Sequence, residues 1–182
     1  NAQGRQLTSL ECHDIMCFIG QIVVVGGVRR SAMISLSNLS DDRMRHAKSG
    51  QWWNEAAHRA LANNSVSYTD KPDSETFMRE WLALVESKSG ERGIFNREAS
   101  KKQAAKYGRR DPNFEFGTNP CSEIILRSGQ VCNLTEVVVR ATDTIEDLER
   151  KVKCATILGT IQSTYTKFPY LRKVWQRNTE EE

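Results

Sequence analysis

The sequence predicts an α/β protein, and three observations carry that expectation. Apolar residues recur at helical spacing over 10–22 and again over 74–85. Short runs at 32–36 and 65–68, flanked by Gly and Asn, have the length and boundaries of strands. Helical and extended segments alternate along the chain, the order in which helices cover a sheet.

Each element has a local reason. Thr8-Ser9-Leu10-Glu11 fits a capping box, and Leu10, Ile15, Phe18, Ile19 and Ile22 continue the helical period. A helix is therefore expected from 8 to about 25, stopped by Gly26-Gly27. A strand over 32–36 follows the Gly-Gly-Val-Arg-Arg turn, and Ser40 or Asp41 caps a brief helix ending near Gly50. A second strand, 65–68, is entered through Asn63-Asn64. Residues 74–85 form an amphipathic helix with Phe77, Trp81, Leu84 and Val85 on one side. A Gly-containing polar loop over 87–92 leads to a polar helix over 97–105 and a linker through Gly108, Asp111 and Pro112. Residues 122–139 read as two strands joined at Ser128-Gly129, a two-residue hairpin turn. Thr144 and Asp147 open a second capping box for a long helix to about Lys167, and a last short helix lies near 169–177.

Composition narrows the function classes. The chain has 182 residues, enough for one domain or a large piece of one. Its 26 basic residues are interleaved with 23 acidic ones for a formal charge of +3, which argues against a nucleic-acid binder and leaves room for a small anionic ligand. No apolar run reaches the roughly 18 residues of a membrane span. The first residues lack the pattern of a secretory signal. The missing initiator Met and the uncapped Glu180-Glu181-Glu182 end read as those of an internal segment. Five cysteines, an odd number without a C-x-x-C pair, point to a reducing, cytoplasmic setting. With His13, His46 and His58 scattered, no metal site is expected. Cys12, Cys17 and Cys154 fall among apolar helical neighbours and are expected to pack. Trp52-Trp53 reads as a core or edge pair, and Lys101-Lys102 and Arg109-Arg110 as solvated surface.

The segment Asn119-Pro120-Cys121-Ser122-Glu123 carries chemistry. In an extended chain alternate side chains share a face, which would set an amide, a thiol and a carboxylate side by side at steps of about 6–7 Å. An amide holds a substrate hydroxyl, a carboxylate takes its proton, and a thiol exchanges hydrogen atoms. The same spacing also suits a strand of mixed polarity. A turn at Ser128-Gly129 sets Cys132 on the face of Cys121, yet roughly 13 Å away by strand rise. A disulfide needs Cα atoms within about 7 Å. Cys121 and Cys132 therefore have different tasks, or none. Taken alone, Gly26-Gly27 with Arg29-Arg30 is a helix C-cap followed by a basic turn, and Asn63-Asn64-Ser65 is a turn using Asx side chains.

Several separated motifs, in order, resemble ribonucleotide reductases over essentially the whole chain. Asn119-Pro120-Cys121-Ser122-Glu123 followed by Val131-Cys132-Asn133-Leu134-Thr135-Glu136 resembles the finger-loop region of that family. Gly26-Gly27-Val28-Arg29-Arg30-Ser31-Ala32 resembles its second specificity loop. Ala62-Asn63-Asn64-Ser65, Gly93-Ile94-Phe95-Asn96 and Asn178-Thr179-Glu180-Glu181-Glu182 also match. The short interval between Cys121 and Cys132 is similar to the adenosylcobalamin-dependent ribonucleoside-triphosphate reductases. A class I diphosphate reductase large subunit and a non-catalytic nucleotide-binding module of the same fold are the alternatives.

The resemblance implies part of a ten-stranded α/β barrel. Residues 1–117 would end the first half-barrel, 118–139 form the finger loop and following strand, and 140–182 supply helices of the second half. It implies that Cys121 is the thiyl radical that takes the ribose 3′ hydrogen, Glu123 the base on the 3′-hydroxyl, and Asn119 a hydrogen-bonding partner of the substrate hydroxyls. Cys132 would be one of two reducing thiols, its partner lying on an earlier strand. Gly26, Gly27, Val28, Arg29, Arg30 and Ser31 would relay effector identity, and Asn63, Asn64 and Ser65 would stand at the barrel wall near substrate. The implied partners are a ribonucleotide, deoxynucleotide or ATP effectors and a thioredoxin-like reductant, with adenosylcobalamin bound outside this segment.

Overall fold

The computed structural model describes residues 3–23, 31–88, 90 and 92–182. The chain divides into two compact units, Asn1–Ile125 and Leu126–Glu182.

The first unit is built on three parallel strands, β1 (Met33–Ser37), β2 (Ala62–Tyr68) and β3 (Gly93–Asn96), in the order β1-β2-β3. Parallel neighbours need long crossovers, and here those are helical. Helices α2 (Asp42–Arg45) and α3 (Trp52–Glu55) and a 3-10 helix (Ala57–Leu61) join β1 to β2, and α4 (Ser74–Ser87) joins β2 to β3. Helix α1 (Ser9–Gln21) precedes the sheet and α5 (Arg97–Ala105) follows it. The capping box of α1 forms as expected: the Glu11 N–H donates to Thr8 Oγ1 (3.3 Å) and the Thr8 N–H to the Glu11 carboxylate (2.8 Å). The helix ends at Gln21, earlier than expected, where β-branched Ile22 and Val23 begin. The expected stop at Gly26-Gly27 lies outside the described residues.

Strand β2 is longer than the sequence suggests. Asn63 and Asn64 belong to the strand itself rather than to an entry turn, and Ala62 and residues 64–68 are all buried. Gly93 opens β3 opposite Ser65, where a Cβ would come within 2.7 Å of Ser65 Oγ, so glycine lets the two strands approach. Helix α1 is tied down by Asp14, which accepts from Arg59 Nε (2.6 Å) and Nη2 (2.7 Å), while Arg59 Nη1 donates to the Ala47 carbonyl (2.8 Å). Burial pushes the Asp14 carboxyl up, and the hydrogen bonds from Arg59 and His58 more than reverse it, leaving it at about 2.

Helix α4 departs from the expected apolar face. Trp81 and Val85 are exposed, and the fully buried residue of the helix is Glu80. Its carboxylate accepts from Arg92, through Nε and Nη2, and from Arg45 Nε (3.1 Å). Arg92 also donates to Ser37 Oγ (2.8 Å), so one charge cluster joins α4, α2, β1 and the entry to β3. A buried carboxylate is tolerated where cations and hydrogen bonds saturate its oxygens, and hydrophobic periodicity carries no sign of that pairing.

In the second unit, α6 (Ile145–Ser163) starts from the expected capping box of Thr144 and Asp147. It stops short of Lys167. Helix α7 (Lys173–Glu181) begins later than expected. Arg127 is buried, ion-paired with Glu181 and, at 3.5 Å, with Glu182. Asn178 Nδ2 donates to the carbonyls of Ser128 (2.8 Å) and Gly129 (3.0 Å). The expected turn is thus present, with Gly129 at φ +74°, but no hairpin is built on it. Residues 131–140 have no regular structure, and the strand before the turn, β5 (Ile125–Arg127), pairs instead with β4 (Phe116–Thr118). The connection 119–124 is too short for a parallel crossover, so this ladder is antiparallel. The unit boundary falls within β5. The architecture is α/β, and no closed barrel forms among the described residues. Among them, no helix is long and apolar enough to cross a membrane.

Replacing Glu80 with Ala strands two guanidiniums that were paired, for an expected loss of about 3–5 kcal/mol of stability. Urea unfolding of the two chains measures it; a loss below about 1 kcal/mol would show that the cluster is not holding the unit together.

Candidate active site

The segment expected to be extended is a turn. The Ser122 N–H donates to the Asn119 carbonyl (3.0 Å), and the Asn119 N–H to the Ile124 carbonyl (3.3 Å), closing the loop 119–124 between β4 and β5. Pro120 occupies the second position of the turn, which its fixed φ suits, and Asn119 the first, where its type is favoured. Ser122 follows with φ +68°, a left-handed residue of the kind that lets longer hairpin loops reverse. Asn119 Oδ1 reaches across the loop to accept from the Ile124 N–H (3.0 Å) and from Thr118 Oγ1 (3.3 Å). Asn119 is buried, whereas Cys121, Ser122 and Glu123 are exposed. Strand alternation therefore does not align residues 119, 121 and 123. The overlooked signal was the Asn-Pro dipeptide, a turn marker in its own right.

Three side chains hold this loop and the strands that flank it by their carbonyls. Asn63 Nδ2, from β2, donates to the Pro120 carbonyl (2.6 Å). Arg97 Nε, from α5, donates to the Phe116 carbonyl (2.8 Å), and Arg110 Nη1 to the Ile125 carbonyl (3.0 Å). Arg110 also lies 5.2 Å above the Phe116 ring, so it is not the solvated cation the sequence suggested. Neither arginine carried a sequence signal, because both act on backbone atoms distant in sequence.

Asn64 points to the opposite face of β2, as alternation requires. His13 Nε2 lies 3.2 Å from Asn64 Oδ1 and donates to it in the Nε2–H tautomer. His13 Nδ1 lies 3.7 Å from the sulfur of Cys17, which is fully buried; burial, then the nearby Asp14 carboxylate, pushes that thiol's pKa up. Cys17 packs as expected, while Cys12 and Cys154 are exposed in this chain. Ser65 is buried against β3, and Ser31 is half-buried. Gly26, Gly27, Val28, Arg29 and Arg30 lie outside the described residues.

Cys132 lies in the irregular stretch of the second unit, beside Asn133, Gln162, Tyr165 and Phe168 around a cleft of about 430 Å³. Asn133 Nδ2 fixes that stretch to the Gly159 carbonyl (3.1 Å). Because 131–140 is not a strand, the separation from Cys121 expected from strand rise does not apply. None of the five cysteines is in a disulfide. Among the described residues, no three His, Cys, Asp or Glu side chains gather as a metal site.

The loop presents a thiol and, two residues on, a carboxylate, both exposed, while Asn119 Oδ1 holds the turn. A thiol can exchange a hydrogen atom and a carboxylate can take a proton.

No family model matches the chain, and no solved structure matches it. Curated proteins do. Over 142 residues, 74% of this chain, it is 40% identical to the adenosylcobalamin-dependent ribonucleoside-triphosphate reductase of Lacticaseibacillus paracasei. It is 38% identical over 145 residues to the protein of that name from Levilactobacillus brevis, and 37% over 144 residues to that from Lactobacillus leichmannii, 75% of this chain in each case. The chain spans 18% of the length of these relatives.

The positive φ of Ser122 gives a local test of the turn. A β-branched residue pays a steric penalty there that glycine does not, about 1–2 kcal/mol. Ser122→Val should therefore unfold at lower denaturant than Ser122→Gly. Equal midpoints would mean that residue 122 is not left-handed.

Proposed function

We propose that this chain is an internal segment of an adenosylcobalamin-dependent ribonucleoside-triphosphate reductase and bears its radical cysteine, Cys121. The observation that supports this most is the 33–40% identity to proteins of that name over three quarters of the chain. The structure adds a loop that presents the thiol from a fixed turn. In the proposed reaction the Cys121 thiyl radical takes the 3′ hydrogen of a ribonucleoside triphosphate: the C–H bond breaks, the S–H bond forms, and the unpaired electron moves to C3′. Glu123 takes the 3′-hydroxyl proton. The 2′-hydroxyl leaves as water, its proton and the new C2′ hydrogen coming from two thiols, one of them Cys132, that supply two electrons and end as a disulfide. Glu123 returns its proton to the 3′ oxygen and Cys121 its hydrogen to C3′, which restores the thiyl radical. A thioredoxin-like dithiol restores them, and deoxynucleotides or ATP set the specificity.

Adenosylcobalamin, when bound, starts the radical chemistry. Clefts lined by described residues hold about 430–580 Å³, the scale of a drug-sized ligand. We assign none of these residues to the cofactor. A radical also needs shelter from water, and Cys121 is exposed in this chain. We assign that shelter to the remainder of the reductase.

In the full-length protein, Cys121→Ser should abolish deoxynucleotide formation while leaving nucleotide binding within about twofold. Turnover at the unsubstituted rate would refute the proposal.

A further inference from the structure

Asn63, from outside the loop, bonds to the backbone next to the candidate thiol. Its Nδ2 donates to the Pro120 carbonyl at 2.6 Å, across 57 positions of sequence. That carbonyl belongs to the peptide unit whose nitrogen is that of Cys121, so the bond fixes the plane from which the Cys121 side chain departs. Asn63 is itself held. It sits in the central strand, opposite Ile34 of β1. Its neighbour Asn64 locks the other face of the strand to His13 of α1. Arg97 and Arg110 bond to the strands that flank the loop, at Phe116 and Ile125, and Asn63 bonds to its tip.

We infer that Asn63 is a positioning residue for Cys121, acting through the Pro120 carbonyl and not by touching substrate. This rests on the function proposed above. Without the bond the loop would keep its two anchored ends and its internal Asn119 bonds, but the tip would move relative to β2. Hydrogen-atom transfer demands close approach, and a displacement near 1 Å can cost about a hundredfold in rate. The loss should therefore fall on kcat, whereas a residue contacting substrate in the ground state would show itself in KM or substrate affinity.

The test uses the full-length reductase with Asn63→Ala, the isosteric Asn63→Asp, and Cys121→Ser in parallel. Both Asn63 variants lose the donor, and Asn63→Asp serves if Asn63→Ala fails to fold. The expected result is kcat reduced at least tenfold in the Asn63 variants, nucleotide affinity within twofold, and a changed alkylation rate at Cys121. Unchanged kcat, or a loss confined to KM and affinity, overturns the positioning role while Cys121→Ser remains inactive. Full turnover in Cys121→Ser would instead sink the functional reading on which the role depends.

Discussion

The tip of the Cys121 loop is tied to one buried strand. β2 lies between two parallel neighbours and has nearly every residue inaccessible, so it cannot shift register without breaking two ladders at once. Its two consecutive asparagines convert that rigidity into placement. Asn64 binds the strand to α1 through His13, and Asn63 binds the Cys121 loop through a single carbonyl. Amides in a buried strand cost free energy unless their donors and acceptors are met, and here the partners that meet them are the helix before the sheet and the loop after it.

The loop follows the same economy of parts. Asn119 Oδ1 braces its own turn, accepting from Ile124 and Thr118. Cys121 and Glu123 remain outward, on a backbone held at Phe116, Pro120 and Ile125 by side chains from three different places in the chain. The Cys121 thiol is thus exposed on a tip whose backbone is held from β2.

Local signals were the legible ones. Both capping boxes follow from side chains within four residues of the bonds they make, and helices form over 74–87 and 97–105 where the sequence places them. Long-range pairings were not legible. Nothing in the period of α4 announces that Glu80 will be its most buried residue, because its partners Arg45 and Arg92 lie 35 and 12 positions away. The strand predicted over 131–139 fails because an alternating pattern needs a neighbour to bond with. Sequence names the residues of the candidate site but not their arrangement, since Asn119-Pro120 turns where alternation expects an extended chain.

The central claim is that Cys121 stands on a closed turn rather than on an extended strand. Amide hydrogen exchange at Ile124 measures this most directly, because its N–H is donated to the Asn119 side chain only when the loop is closed. The account predicts an Ile124 amide exchanging well below its open-chain rate and losing that protection in Asn119→Ala. Exchange at the open-chain rate in the unsubstituted protein would contradict it.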